Sequence, residues 1–258
     1  MGISKTVLKH AAPLPQVESF ERYLFVGPHP DDIEIGAGAT AAKLAAAGKA
    51  VTFVICTDGR FGDGASGGVT GDELAALRKK EARRSARVLG VSDLRFLDLC
   101  DGAGYTQEEL EAGLAAVMAQ VRPQVVIAPD PDVISECHAD HRMAGEAAKK
   151  LAFFCGHPGI MRRLYDAEGC EPVEALAFMM TARPNRYVKT APFMKKQFQS
   201  VFCCHTSQYP ADSPDAASLK TYIKLRAADY GLRTLSLGAE GFRVLGHLHM
   251  HCLPVFGL

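Results

Sequence analysis

Residues 23–27 read Tyr-Leu-Phe-Val-Gly, residues 28–34 Pro-His-Pro-Asp-Asp-Ile-Glu, residues 35–47 Ile-Gly-Ala-Gly-Ala-Thr-Ala-Ala-Lys-Leu-Ala-Ala-Ala, and residues 51–56 Val-Thr-Phe-Val-Ile-Cys. The outer two runs are short, apolar and rich in β-branched and aromatic residues, as in strands buried on both faces, and the Ala-rich run between them has helical length and composition. Strand, helix and strand in that order make a right-handed βαβ unit with a parallel pair. The alternation continues outward from this unit. Arg60–Gly71 is a Gly-rich loop, Glu73–Leu89 a helix closed by Gly90, Leu94–Asp98 a strand, and Thr106–Gln120 a helix opened by a Thr106–Glu109 capping box. Gln124–Ala128 is a strand and His141–Phe154 a helix. The expected fold is α/β: a Rossmann-like three-layer α/β/α sandwich with a mostly parallel sheet and a smaller, less regular C-terminal part. That part holds strands within 175–189, helices within 191–204 and 214–230, and a strand-like stretch from Phe242 onward. With no repeat, low-complexity tract or long linker, residues 1–258 read as a single domain with residues 1–20 as an N-terminal extension.

Composition narrows the function. The chain is 48% hydrophobic and 22% charged, which excludes disorder as its main state. Its 29 basic and 29 acidic residues cancel, so no basic field gathers nucleic acid or an anionic membrane surface. The eight cysteines form no Cys-x-x-Cys pair and read as buried thiols in a reducing compartment. The first twenty residues lack a signal-peptide core, and apolar runs such as Ala175–Met180 fall far short of the ~20 residues of a membrane span. The expected location is cytoplasmic, with no membrane partner.

In parallel sheets of this kind ligands bind beyond the carboxyl ends of the strands, so the loops after Gly27, Cys56, Asp98 and Ala128 should line one crevice. The first of these loops carries His29, Asp31 and Asp32. His29 and Asp32 are spaced to meet at one ion, leaving Asp31 as a base, since catalytic zinc takes three protein ligands and keeps one position open. The alternatives are an N-cap aspartate and a structural loop histidine. The last loop carries Glu136-Cys137-His138-Ala139-Asp140-His141-Arg142. His138 and His141 lie one helical turn apart, and Asp140 can orient an imidazole through its second nitrogen. Its alternative is a polar helix start. Two such clusters on neighbouring loops of one crevice are a far rarer coincidence than either alone.

His-Pro-Asp-Asp-x-Glu after the first strand, paired with His-x-Asp-His before a later helix, resembles the LmbE/PIG-L family of zinc-dependent N-acetylglucosaminyl deacetylases. The resemblance extends through Gly36-x-Gly38-x-Thr40, Arg78-x-x-Glu81, Asp101-Gly102, His205-x-Ser207-Gln208 and Glu240-Gly241-Phe242. It implies that His29, Asp32 and His141 bind one Zn2+ per chain, with another divalent ion as an alternative, and that Asp31 is the general base. It also places His138 at the substrate carbonyl, Asp140 with it among the catalytic residues, and Arg78 and Asp101 on sugar hydroxyls. Pro28 and Ile33 depart from the commoner Ala and Glu, which leaves the subfamily open. The implied reaction is hydrolysis of the N-acetyl group of a small acetamido-sugar conjugate by zinc-activated water. The implied assembly is a homo-oligomer, a trimer or hexamer.

Two rival readings and several decoys remain. Gly36-x-Gly38-x-x-Ala41, with Asp58 downstream, imitates the dinucleotide fingerprint of a Rossmann-type NAD-dependent oxidoreductase. A true fingerprint turns at the strand end, however, and here the eight residues 28–35 separate Gly27 from Gly36. A non-catalytic metal- or sugar-binding module has no need of Asp31. His247, His249 and His251 would share one face of a strand, either as a second metal site or, the preferred reading, as a polar face. His205 reads as a structural hydrogen-bonding residue, and Cys203-Cys204 as core packing at a helix end. Loop 60–71 is either a mobile cover that sets specificity or a plain connection.

Overall fold

A computed structural model describes residues 11–65 and 67–251 of the chain. Seven strands form one sheet: β1 (Arg22–Gly27), β2 (Ala50–Thr57), β3 (Asp93–Leu99), β4 (Val125–Pro129), β5 (Ala175–Met179), β6 (Arg186–Lys189) and β7 (Ala239–Gly246). Their order is β3-β2-β1-β4-β5-β7-β6. The first five run parallel, and β7 is antiparallel to both β5 and β6. The helices are α1 (Asp32–Ala46), α2 (Gly71–Leu89), α3 (Gln107–Val121), α4 (Ala139–Phe154), α5 (Pro158–Tyr165), α6 (Met194–Cys204) and α7 (Pro214–Arg233).

Side chains alternate across the strands and so feed two cores. Leu24, Val26, Val54, Val126 and Phe178 pack with α3 and α4, whereas Tyr23, Phe25, Phe53, Ile127 and Phe242 pack with α1 and α2. Burial on both faces is why β1, β2 and β4 read as unbroken apolar runs. Strand order reverses direction between β1 and β4, so their loops part and open a crevice at the carboxyl edge.

The expected helix ends are present. Gly90 closes α2 in the left-handed region at φ 87°, and Thr106 and Glu109 cap α3 reciprocally. α1 begins three residues earlier than the sequence predicts and is broken at Ala37, where φ is −152° and ψ 20°. The break frees the amides of Ala39 and Thr40. The Glu240 carboxylate on β7 accepts both, at 3.1 and 2.6 Å, and also accepts from Gln197 Nε2 at 2.9 Å. Gly36 and Gly38 lie inside α1, where a Cβ would sit 2.7 Å from the Met179 sulfur and 3.2 Å from Gln197 Cγ respectively. These glycines serve close packing, and no glycine turn stands at the end of β1 for a dinucleotide.

Three expectations are corrected. His247–Met250 is a 3-10 turn, so the three histidines share no strand face. His249 is buried, accepting from Gly246 N and meeting the Ala12 carbonyl, while His247 and His251 pack against Phe153. Cysteine burial is mixed: Cys56, Cys155, Cys170 and Cys204 are buried, but Cys137 and Cys203 are exposed, so only Cys204 of the vicinal pair packs inward. α5 has no counterpart in the sequence reading. Among the described residues no helix is long and apolar enough to cross a membrane.

Candidate metal centre

The loops after β1, β3 and β4 bring His29, Asp32, Asp101, His138, Asp140 and His141 together. Asp31 is the N-cap position of α1, held at φ 151°, a strained conformation for a residue with a Cβ. That turn separates the two adjacent aspartates. Asp32 Oδ2 accepts from His29 N at 2.8 Å and lies 3.0 Å from His29 Nδ1 and 3.3 Å from His141 Nε2. Two imidazoles therefore converge on one carboxylate oxygen, and the ligand atoms of His29, Asp32 and His141 lie within 4.8 Å of one another. Each imidazole is held from behind. His29 Nε2 stands 3.1 Å from both Asp140 Oδ2 and Asp101 Oδ1, and His141 Nδ1 lies 3.1 Å from Glu136 Oε2. A carboxylate behind each histidine is the usual support of a metal-bound imidazole. The donor set of two nitrogens and one oxygen fits a divalent cation with an open position.

A second convergent group, His29, Asp101, His138 and Asp140, fits an ion less well. Asp140 is fully buried, and its oxygens already accept from Gly102 N, Ala103 N and Tyr105 Oη at 2.8–2.9 Å. That saturation bears on the expected catalytic role of Asp140. It has no exposed surface and stands 3.1 Å from His29 Nε2 and 3.8 Å from His138 Nδ1, a placement suited to orienting the imidazoles. His138 precedes α4 with its side chain 47% exposed, and its ring meets that of His29 edge-on at 4.6 Å.

Arg78 and Asp101, which the resemblance places on sugar hydroxyls, are both buried. The Arg78 guanidinium donates to the Gly59 and Pro30 carbonyls and lies 3.3 Å from Asp31 Oδ1, so it reaches the site through Asp31. Asp101 accepts from Phe61 N at 3.1 Å and braces His29. Asp31 is not free either, because Tyr209 Oη donates to its Oδ2 at 3.1 Å.

The charges separate the neighbouring carboxyls. Burial pushes Asp31 above its ordinary value, against the opposing pull of Arg78. For Asp32 burial acts the same way, but His141 and His29 outweigh it and hold the carboxyl well below its usual range. Burial opposes charging of His29, yet Asp101, Asp140 and Asp32 push it up to about 12. The three carboxylates that favour the protonated ring can equally balance the charge of a bound cation.

Sequence reasoning missed Tyr105 and Tyr209 and gave Glu136 no role. Glu136 stood two residues before His138 in the quoted motif, so its proximity was a usable signal. Tyr209 lies 178 residues from Asp31, and nothing local announces it. His205 has the structural role expected: it is fully buried, with Nε2 3.2 Å from Glu34 Oε1.

Residues 24–152 match the PIG-L family, described as GlcNAc-PI de-N-acetylase. Over 254 residues the chain is 34% identical to the diacetylchitobiose deacetylase of Thermococcus kodakarensis, covering 98% of this chain and 92% of that protein. It is 31% identical over 210 residues to the 1D-myo-inositol 2-acetamido-2-deoxy-alpha-D-glucopyranoside deacetylase of Kineococcus radiotolerans, covering 70% of this chain and 57% of the relative. The solved N,N'-diacetylchitobiose deacetylase from Pyrococcus horikoshii aligns with a TM-score of 0.85 at 29% identity, covering 98% and 96% of the two chains. The hydratase GalB of Pseudomonas putida has a TM-score of 0.71 at 19% identity, covering 88% of this chain and 96% of its own, and shares the fold alone. With nearly the whole of this chain and its Thermococcus relative in alignment, and both His/Asp clusters meeting at the strand-order reversal, the chain belongs to the PIG-L family of de-N-acetylases.

Proposed function

We propose that this protein removes the acetyl group from the amine of a small N-acetylglucosamine-type conjugate, with Zn2+ held by His29, Asp32 and His141 and with Asp31 as general base. The observation that carries the reading is the convergence of two imidazole nitrogens on Asp32, each imidazole backed by carboxylate. The relatives named as deacetylases of diacetylchitobiose and of an acetamido-glucopyranoside support the substrate class. Zinc is the proposed ion because two nitrogens and one oxygen suit it, although such a set is not strongly selective. When bound, the ion polarises the acetyl carbonyl and makes water nucleophilic near neutral pH.

The chain supplies the rest. Asp31, raised by burial and fixed by Arg78 and Tyr209, accepts the proton of the attacking water and returns it to the departing amine. His138, half-exposed beside His29, donates to the oxygen that gains charge as the carbonyl carbon becomes tetrahedral. Asp140, Asp101 and Glu136 orient the ligands. The products are acetate and an amino sugar.

The test is metal analysis of tag-free protein beside His141→Ala, followed by assay of acetate release from N-acetylglucosamine conjugates. About one equivalent of zinc is expected in the wild type and little in the variant. A wild type that takes up no metal even after zinc is added back overturns the proposal.

A further inference from the structure

Phe61 combines an exposed ring with a tightly held backbone. The residue is 62% exposed. Gly62 N donates to the Gly59 carbonyl at 3.2 Å, closing a turn with Arg60 and Phe61 at its centre. Asp58 accepts from Arg60 N at 3.1 Å and from Arg60 Nε at 2.7 Å. From beneath, Arg78 Nη1 donates to the Gly59 carbonyl at 3.0 Å, and Gln208 Nε2 donates to that of Gly62 at 2.7 Å. A Cβ on either glycine would lie 2.5 Å from Arg78 Nη1, so the turn sits directly on the guanidinium. The first residues of the Gly-rich loop are therefore anchored.

This turn adjoins the metal cluster. Phe61 N donates to Asp101 Oδ2 at 3.1 Å, and the other oxygen of that carboxylate lies 3.1 Å from His29 Nε2. The phenyl ring extends over Gly102, where a Cβ would meet Phe61 Cδ2 at 3.5 Å. Leaving a ring in water forgoes the free energy of burying it, while a rigid support lowers the entropy cost of using it in binding.

We propose that Phe61 is a specificity-determining platform on which the apolar face of a substrate pyranose ring stacks. A gluco-configured pyranose carries C–H groups on its faces and hydroxyls around its edge. A flat aromatic side chain buries such a face, and the Asp58–Arg60 pair beside it is suited to the hydroxyl edge. Phe61 contributes binding and moves no proton. The inference rests on the deacetylase reading and assigns where that substrate's ring lies.

The experiment measures acetate release from N-acetylglucosamine and its β-1,4-linked dimer by wild type, Phe61→Ala and Phe61→Tyr, with calorimetric binding of the deacetylated dimer alongside. Phe61→Ala is expected to raise KM and weaken product binding by about tenfold at unchanged kcat, while Phe61→Tyr stays within about twofold of wild type. Equal KM and equal product binding in Phe61→Ala overturn the platform. So does a lower kcat at unchanged KM, which would show that residue 61 merely braces Asp101. A wild type that releases no acetate defeats the deacetylase reading instead. Calorimetry then still decides the platform: binding lost with the ring supports it, and binding indifferent to the ring overturns it.

Discussion

The Asp32 cluster beyond β1 and the Glu240 cluster behind α1 are both buried and centred on a carboxylate, yet their oxygens meet different surroundings. Both Glu240 oxygens receive protein N–H groups, from Ala39, Thr40 and Gln197. That carboxylate finishes a broken helix, and its lone pairs are committed to the fold. Asp32 Oδ2 instead faces two imidazole nitrogens whose far sides are already tied to carboxylates. Here acceptors converge and fixed donors are few, so a cation has work to do. Burial alone does not mark a functional acid; the direction of its neighbours' lone pairs does.

The most severe way to break this comparison is Asp31→Asn, which spares every ligand and removes the proposed base. Acetate release should fall by about a thousandfold with metal content near that of wild type. Loss of the metal in that variant would show that the two aspartates do not divide the labour.

Glu240 offers a pH test of the other cluster. Burial pushes its carboxyl up to about 7 against the pull of its hydrogen-bond donors, whereas the unfolded chain releases this proton near pH 4.3, about the ordinary glutamate value. The stabilisation from the proton is therefore complete below about pH 4.3 and is lost as pH rises towards about 7. Glu240→Gln stays neutral throughout. The stability of wild type relative to this variant should fall by up to about 3 kcal/mol between about pH 4.5 and pH 7.5 in urea titrations. A difference constant with pH would mean that the amides keep Glu240 charged, making the contrast with Asp32 sharper still.

The smallest effect is expected from Glu136→Gln, which weakens the carboxylate behind His141. Zinc affinity, read by competition with a chelating dye, should drop about 10- to 100-fold while kcat at saturating metal changes little. Unchanged affinity would leave His29 as the one ligand supported from behind.

What the sequence made legible follows the range of the contacts. Strands β1, β2 and β4 announce themselves because burial on both faces removes polar alternation, and Gly90 and the Thr106–Glu109 pair mark helix ends through contacts a few residues long. The ligand clusters were readable because each occupies one loop. The supporting partners were not: Glu240 meets Thr40 across 200 residues, and Tyr209 meets Asp31 across 178. Nor does local pattern show that β7 inserts antiparallel between β5 and β6, since all eight of its residues are buried. The polar residues Glu240 and Arg243 in an interior strand look anomalous until their partners are known. The alternating histidines misled for a related reason, because the chain turns at His247 and ends the period of two.

β7 also governs the order in which the site can be completed. Glu240 holds the broken turn within the helix that begins at Asp32, and Arg243 grips Asp130 and Asp132 at the start of the loop that leads to His138 and His141. Every proposed metal ligand lies within the first 141 residues, but both loops receive their braces from residues near 240. During synthesis the N-terminal part emerges first, so all the ligands leave the ribosome roughly a hundred residues ahead of the strand that fixes their geometry. A nascent chain stalled before β7 would therefore hold the proposed ligands without either of these braces.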